Sequence, residues 1–281
     1  MKKEISDHID DFSVTKSELK LSDALKSYAI FMEKLNELPK QKRLKSDVEK
    51  AQLFREIHEN ISNPTLFRKS ESSNATLSLM WFGRAKKIAS MFVSLNKVVE
   101  FKGISKQELR ELSTLTQDLN NLRKLESILL EKGIVLVFER SLQGDNLDGA
   151  SYLLDSGQAL IAMSLRYGRV DNFWFTLMHE LSHLVLHREQ LSSPIIDDLD
   201  SDSSGSLIEL EADKLALNSL IPRNMWRTCP AKYSLTSDNV IKFSDEIGVH
   251  PAIVAGRLRK ELDRWDIFTD LINEYDVREY L

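Results

Sequence analysis

Apolar residues recur at intervals of three and four along the first half of the chain, which is the pattern of amphipathic helices. The pattern predicts helices over about residues 19–38 and 46–61. A buried helix is predicted over 73–95, where small and large apolar residues alternate. A fourth helix is predicted over about 105–132, because a Ser-x-x-Glu capping box opens it and a glycine follows it.

The pattern changes from helical to extended after Gly133. Residues 134–138 form a short apolar run rich in β-branched residues, which predicts a buried strand. Residues 150–154 and 159–164 are two further apolar runs, and the Asp-Ser-Gly-Gln between them predicts a hairpin. We expect the edge of the strand over 159–164 to align an extended peptide, because it directly precedes the candidate site described below.

The C-terminal half returns to helical periodicity. A helix with an apolar packing face is predicted from Asp171, its expected N-cap, to about His187. A solvated acidic linker is expected over 194–206, since Ser203 stands where a calcium-binding loop requires glycine. Further helices are predicted over 207–220, 238–247 and 251–262.

These elements predict an α+β protein that is mostly helical, with a small mixed sheet packed on the helix from Asp171. We expect three regions. Residues 1–70 form a helical region that contacts a partner, and residues 71–222 form the central domain with its leading helices. Residues 223–281 form a second helical region.

Composition narrows the classes of protein that are possible. The net charge of −5 gives no general attraction for nucleic acid, and 42% hydrophobic with 29% charged residues is ordinary for a soluble protein. The single cysteine, Cys229, permits no intramolecular disulfide and fits a reducing compartment. The charged N-terminal residues lack the apolar core of a secretory signal, and no apolar run approaches the roughly 20 residues of a membrane span. We therefore expect a cytoplasmic protein without a membrane contact.

The strongest chemical signal is His179-Glu180-Leu181-Ser182-His183, an H-E-x-x-H pattern in an apolar run. Residues four apart lie on one face of a helix, so both imidazoles point at the same place. Two neutral imidazoles at that spacing can bind Zn²⁺, with Glu180 placed to act as general base. The alternative is a helix whose two histidines are only buried or capping.

A catalytic zinc site needs a third protein ligand. We assign Glu209, because Asp213 lies one turn further and can accept the free N–H of a ligand imidazole. Glu211 is the alternative ligand, and a solvated acidic face is the structural alternative. Cys229 has no other ligand pattern around it. His187 lies about 12 Å along the helix from the first histidine, so we expect it to serve local packing or hydrogen bonding.

The stretches HELSHLVLH and IELEADKLALNSLIP resemble the ImmA/IrrE family of intracellular bacterial metallopeptidases. That family combines H-E-x-x-H with E-x-x-A-(N/D)-x-(F/L)-A and a closing (L/I)-(M/I)-P. The second part is filled here by Glu209, Ala212, Asp213, Leu215, Ala216, Ile221 and Pro222. Residues 147–183 and 245–261 are similar to the branch found beside, or fused to, Xre/HigA-type antitoxin domains. The resemblance covers roughly residues 130–265, and residues 1–70 match no family that we can place.

The resemblance implies a zincin-like fold, in which a mixed sheet lies over the H-E-x-x-H helix and the Glu-bearing helix packs alongside. It also implies a zinc-dependent endopeptidase, of the kind found with toxin–antitoxin and phage-defence loci. The substrate that the resemblance implies is a regulatory protein, an Xre-type repressor or antitoxin. We expect it to be a separate protein encoded nearby, because no Xre-type domain is recognised in this sequence. The alternative is a non-catalytic toxin–antitoxin or regulatory binding protein with a structural or vestigial metal site.

A DNA-binding interpretation rests on the two predicted helices over residues 238–262, which have helix-turn-helix spacing. Arg257, Arg259 and Lys260 on the second helix would then face DNA. Because such helix pairs are common without DNA binding and the chain is acidic, we favour a structural role for them and expect no direct DNA binding.

Overall fold

The computed structural model of the chain describes residues 21–37, 46–60, 73–141, 147–191, 195–197 and 207–281. The chain divides into two compact units, Met1–Ser62 and Asn63–Leu281. Most of the predicted acidic linker over 194–206 lies outside the described residues. None of the helices in the described ranges is both long and apolar enough to cross a bilayer.

The described part of the first unit consists of two helices, α1 (Leu21–Glu37) and α2 (Asp47–Asn60), where the periodicity predicts them. Their apolar faces meet around Phe31, Leu53 and Ile57, which are buried. The rings of Phe31 and Phe54 pack edge to face with centroids 5.7 Å apart. Burial of these faces holds the pair together, since short helices are marginal in isolation.

The second unit contains nine α-helices and four strands among its described residues. The helices are α3 (Ser73–Leu95), α4 (Lys106–Ser113), α5 (Leu122–Leu130), α6 (Val170–Leu186), α7 (Leu207–Leu220), α8 (Arg223–Arg227), α9 (Ser237–Ile247), α10 (Pro251–Leu262) and α11 (Thr269–Ile272). The strands are β1 (Ile134–Phe138), β2 (Gly149–Leu153), β3 (Ala159–Met163) and β4 (Ile195–Asp197). The predicted α+β class, mostly helical with a small mixed sheet, is confirmed.

The four strands form one mixed sheet in the order β1-β3-β2-β4. β1 and β3 are parallel, with Ile134 opposite Ala159, while β2 is antiparallel to both β3 and β4. The predicted β2–β3 hairpin is confirmed. The prediction that β3 offers an edge to a peptide is wrong, because β3 lies between β1 and β2 and is paired on both sides. β4 comes from the stretch predicted as linker.

Alternate residues of the strands face two different layers of helix. Ile134 and Leu136 of β1 pack towards α6, whereas Val135 and Val137 pack towards Trp81 of α3. This alternation is the period-two pattern of a strand buried on both faces. The core on the α6 side extends into the C-terminal helices, since Phe243 of α9 and Leu258 of α10 belong to the same buried cluster as Leu177 and Leu181 of α6.

The predicted single helix over about 105–132 is wrong in its middle. The capping box is present, with Ser105 and Glu108 each bonded to the other's backbone N–H. However, α4 ends at Ser113, and two 3-10 turns (Thr114–Gln117 and Leu119–Asn121) separate it from α5. Asp118 is extended, with φ −122° and ψ 115°, and its side chain accepts from the backbone N–H of Asn120. An aspartate that caps a new turn competes with helix continuation.

Helix α6 also begins differently from the prediction. The expected N-cap, Asp171, lies in the first turn, and Arg169 occupies the N-cap position without a side-chain bond. The Asp171 carboxylate instead contacts Arg169, with Nε and Oδ1 3.1 Å apart. An acid in the first turn is favourable there because of the helix dipole.

Candidate metal centre

Helices α6 and α7 bring the predicted ligands together. Ala212 and Ala216 of α7 are completely buried, and their short side chains allow the two helices to approach closely. His179 and His183 lie one turn apart on α6, and Glu209 lies in the first turn of α7. We call these three residues the ligand cluster. It is the one group in the described residues whose His, Cys, Asp or Glu side chains could hold a metal ion.

The distances within the ligand cluster fit a tetrahedral ion. His179 Nε2 and His183 Nε2 are 2.9 Å apart. Glu209 Oε2 lies 3.2 Å from His179 Nε2 and 3.3 Å from His183 Nε2. Zinc–nitrogen bonds of 2.0–2.1 Å in a tetrahedron place neighbouring ligand atoms about 3.3 Å apart. The side chains therefore already have nearly the separation that zinc requires, without a change of rotamer.

The electrostatics of the cluster suit a divalent cation. Burial lowers the pKa of His183, which keeps its imidazole neutral and its lone pair available. Burial alone would raise the pKa of Glu209, but contacts with His179 and His183 outweigh it and hold that pKa well below its ordinary value. Glu209 is consequently an anion at neutral pH. One carboxylate with two neutral imidazoles is a donor set of catalytic zinc.

Asp213 lies where a residue that orients His179 should lie. Its Oδ1 is 2.9 Å from His179 Nδ1, so the ring can donate its Nδ1–H to the carboxylate. That hydrogen bond fixes the tautomer whose Nε2 lone pair points into the ligand cluster. The geometry is the one that the Glu-x-x-x-Asp spacing predicts.

His183 is oriented through His187, a link that the sequence did not predict in full. His183 Nδ1 and His187 Nδ1 are 3.0 Å apart, and His187 Nε2 lies 3.2 Å from Glu211 Oε2. If His183 Nε2 presents its lone pair to a metal, its Nδ1–H donates to His187, whose Nε2–H donates to Glu211. Glu211, the alternative ligand, therefore contacts His187 and lies outside the ligand cluster. The hydrogen-bonding role expected for His187 matches this position.

Glu180 is fully buried and faces strand β2. The Ser151 hydroxyl donates to Glu180 Oε2 and lies 3.0 Å from the Glu180 carbonyl oxygen. A Cβ added at Gly149 would fall 2.4 Å from Glu180 Oε1, so a larger residue there would displace the Glu180 carboxylate. The sequence alone predicts neither contact, because Asp148-Gly149 also suits a turn. A glycine beside a strand also signals close approach of the backbone to another group, and that was the available sign.

The other candidate residues lie outside the ligand cluster and make packing or hydrogen-bond contacts. Cys229 is buried in the apolar core away from the ligand cluster, and burial raises the pKa of its thiol. Arg257 of α10 donates to the carbonyl oxygens of Leu217 and Ile221. Arg259 is buried and donates to the carbonyl of Trp265. These contacts agree with the structural interpretation of the C-terminal helix pair, while the absence of DNA binding stays a prediction.

Two histidines one turn apart, a carboxylate from the neighbouring helix and a buried glutamate beside the first histidine are the arrangement of a metallopeptidase. Comparison with protein families agrees with this class. Residues 130–259 match peptidase family M78, described as the IrrE N-terminal-like domain. This match confirms, for these residues, the resemblance to the ImmA/IrrE metallopeptidases seen in the sequence. A comparison with curated proteins found no match.

Proposed function

We propose that the chain is an intracellular zinc-dependent endopeptidase that cuts a regulatory protein, an Xre-type repressor or antitoxin encoded nearby. The observation that carries this proposal is the ligand cluster itself, with three donor atoms at zinc spacing, and Glu180 follows His179 directly in the sequence. The metallopeptidase family of residues 130–259 supports it. His179, His183 and Glu209 would bind the metal, and Glu180 would be the general base.

Bound zinc would supply a Lewis acid that acidifies a water molecule and polarises the scissile carbonyl. The side chains of the protein transfer the proton and hold the reacting groups in position. Glu180 accepts the proton of the attacking water at its carboxylate and returns it to the nitrogen of the leaving amine. Ser151 and Gly149 hold that carboxylate in place, while Asp213 and His187 hold the two imidazoles. These contacts give Glu180, His179 and His183 fixed orientations before a substrate binds.

Alignment of the substrate needs an unpaired strand edge. Among the described strands, β1 and β4 lie at the edges of the sheet. β4 pairs with β2, and β2 carries Ser151 at the Glu180 carboxylate. We therefore assign the peptide to the β4 side of the sheet in place of β3.

The second candidate function is a regulatory binding protein whose metal site is not used for turnover. The first unit favours it, because α1 and α2 lie outside the family match and α1 carries an exposed tyrosine, Tyr28. An exposed aromatic residue beside an apolar contact is typical of protein interfaces. Both candidates predict a bound partner, but only the peptidase predicts a cut one.

Co-expression with the regulator encoded next to the chain separates the two candidates. We expect mass spectrometry to find the regulator cut at a defined bond with the wild type and intact with Glu180→Gln. Glu189→Gln is the matched control, because Glu189 is exposed and close in sequence, and it should cut like the wild type. A regulator that is bound but intact with the wild type would favour the binding protein, and cutting by Glu180→Gln would exclude the proposed role of Glu180.

A further inference from the structure

A pocket of about 450 Å³ lies beside the metal centre, between the start of α6, the end of α7 and helix α10. Three aromatic and three cationic side chains are among its thirteen lining residues. They are Tyr167, Arg169, Phe175, Arg257, Lys260 and Trp265. Its volume falls in the range of pockets that enclose small ligands, so a single side chain fits with room for water.

Phe175 connects this pocket to the ligand cluster. It stands one helical turn before His179 on α6, and the centroids of the two rings are 6.1 Å apart. One turn of helix rises about 5.4 Å, and an extended peptide rises about 3.3 Å per residue. A side chain that fills the pocket therefore belongs to a residue within about two positions of the bond held at the metal centre.

The charged side chains that line the pocket differ in whether they already have an ion-pair partner. Asp171 is the one acid among the lining residues, and its carboxylate contacts Arg169. Arg257 is engaged by Glu261, with Nε and Oε1 3.0 Å apart, and by backbone carbonyls. Lys260 differs from both arginines. It is exposed, and in the described part of the chain it forms no ion pair.

The ammonium of Lys260 is held at the pocket by an aromatic ring. Its Nζ lies 4.8 Å from the centroid of Phe175, within the range of a cation–π contact. A carboxylate entering the pocket would gain an ion pair with Lys260, and the aromatic walls would contact its methylene groups. A cationic side chain would be repelled by Lys260, since Asp171 and Glu261 already pair with the two arginines.

We propose that this pocket is a specificity pocket that receives an acidic side chain, Glu or Asp, of the peptide substrate within about two residues of the scissile bond. The proposal rests on the proposed peptidase function. It predicts which peptides the chain selects, and binding can be measured without turnover.

The test uses arrays of short alanine- and leucine-based peptides that are identical except for one Glu, Gln or Lys. The arrays are probed with the full-length Glu180→Gln protein in zinc, so that peptides are bound without being cut. We expect Glu peptides to bind about fivefold more tightly than Gln peptides, the size of a partly exposed ion pair. In the Lys260→Glu background the preference should move to Lys peptides. Lys242→Glu is the control, because Lys242 is exposed on α9 outside the pocket, and it should keep the preference for Glu.

Equal binding of Glu and Gln peptides, no measurable binding of any Glu peptide, or an unchanged preference in Lys260→Glu would overturn the proposal. A parallel cleavage assay of the same peptides with Glu180 intact tests the peptidase separately. Acid-selective binding without cleavage would refute the peptidase and leave the pocket. Cleavage without dependence on Glu or on Lys260 would refute the pocket and leave the peptidase.

Discussion

Glu180 is enclosed by strand β2 more tightly than its place in the H-E-x-x-H pattern alone would suggest. The hydroxyl of Ser151 reaches one carboxylate oxygen, and the backbone at Gly149 leaves no space beside the other. A general base that is fixed before substrate arrives does not need to be oriented during the reaction. In the proposed mechanism Ser151 and Gly149 are therefore positioning residues, and their replacement should change turnover more than substrate binding.

Replacement of Ser151 by alanine tests this directly. Ser151→Ala removes the hydrogen bond to Glu180, and a charge-assisted bond of this kind corresponds to about tenfold in rate. We expect kcat to fall by about that factor with little change in KM. Ser244→Ala is the matched control, because Ser244 is buried and donates to the Ile241 carbonyl on α9. An unchanged kcat in Ser151→Ala would show that Ser151 does not position the base.

Gly149→Ala tests the same carboxylate from its other side. The new methyl group would lie 2.4 Å from Glu180 Oε1, so the carboxylate must move. A displacement of about 1 Å at a reacting group costs about a hundredfold in rate, and we expect a loss of that size. Zinc content measured in parallel should stay at the wild-type level, because Gly149 contacts none of the ligands. Full activity in this variant would contradict the close contact.

The orientation of His183 by His187 gives a prediction about metal affinity. His187→Ala leaves His183 Nδ1 without the ring that it contacts, and loss of such a partner weakens metal binding by about 10- to 100-fold. Competition with a chelator measures the change. Glu211→Gln should weaken zinc binding less, since 63% of the Glu211 side chain is exposed and solvent can replace it. Equal affinity in His187→Ala and the wild type would remove His187 from the site.

Among the helices, α4 has a first turn that is stabilised by a capping box and by an ion pair. Glu108 bonds back to Ser105 and contacts Lys132 near the end of α5, so the capping box also ties two helices together. A hydrogen bond from Lys132, followed by one from the Ser105 backbone, lowers the pKa of Glu108 from 4.5 to about 2. The pKa is lower in the folded state than in the unfolded state. The stabilisation is therefore complete above about pH 4.5 and is lost as the pH falls towards 2.

Glu108→Gln should lower the free energy of unfolding by about 0.5–1 kcal/mol at neutral pH, since the group is partly exposed. Denaturant unfolding across a pH series measures this effect. The difference between the variant and the wild type should shrink on acidification below about pH 4.5. Glu126→Gln on α5 is a control with the same chemical change away from the capping box. A difference that stays constant down to about pH 2 would contradict the ion-pair explanation.

Local sequence patterns predicted most of these elements but not their interruptions. The β-branched run at 134–138 and the hairpin signal at 155–158 were sufficient for β1, β2 and β3. The break between α4 and α5 depends on one aspartate, Asp118, in a stretch that otherwise suits a helix. The central place of β3 depends on its parallel pairing with β1, and periodicity within a strand carries no information about its neighbours.

At the scale of the whole molecule, the site combines segments that are distant in the sequence. The two histidines could be predicted because four-residue spacing fixes their relation on one helix. Glu209 and Asp213 could be predicted because they repeat that spacing and complete a ligand set. Ser151 could not, since it precedes Glu180 by 29 residues and meets it only because β2 lies over α6. The pocket proposed to receive an acidic side chain is likewise visible only once α10 packs beside the start of α6 and the end of α7.

The zinc content of purified variants tests the central claim most directly. Elemental analysis of the wild type should find about one zinc ion per chain, and Glu211→Gln should retain it because Glu211 lies outside the ligand cluster. His179→Ala and Glu209→Gln should both lose it while their circular dichroism spectra keep the helical signal. Zinc retained in Glu209→Gln but lost in Glu211→Gln, or no zinc in the wild type, would contradict the metal centre described for α6 and α7.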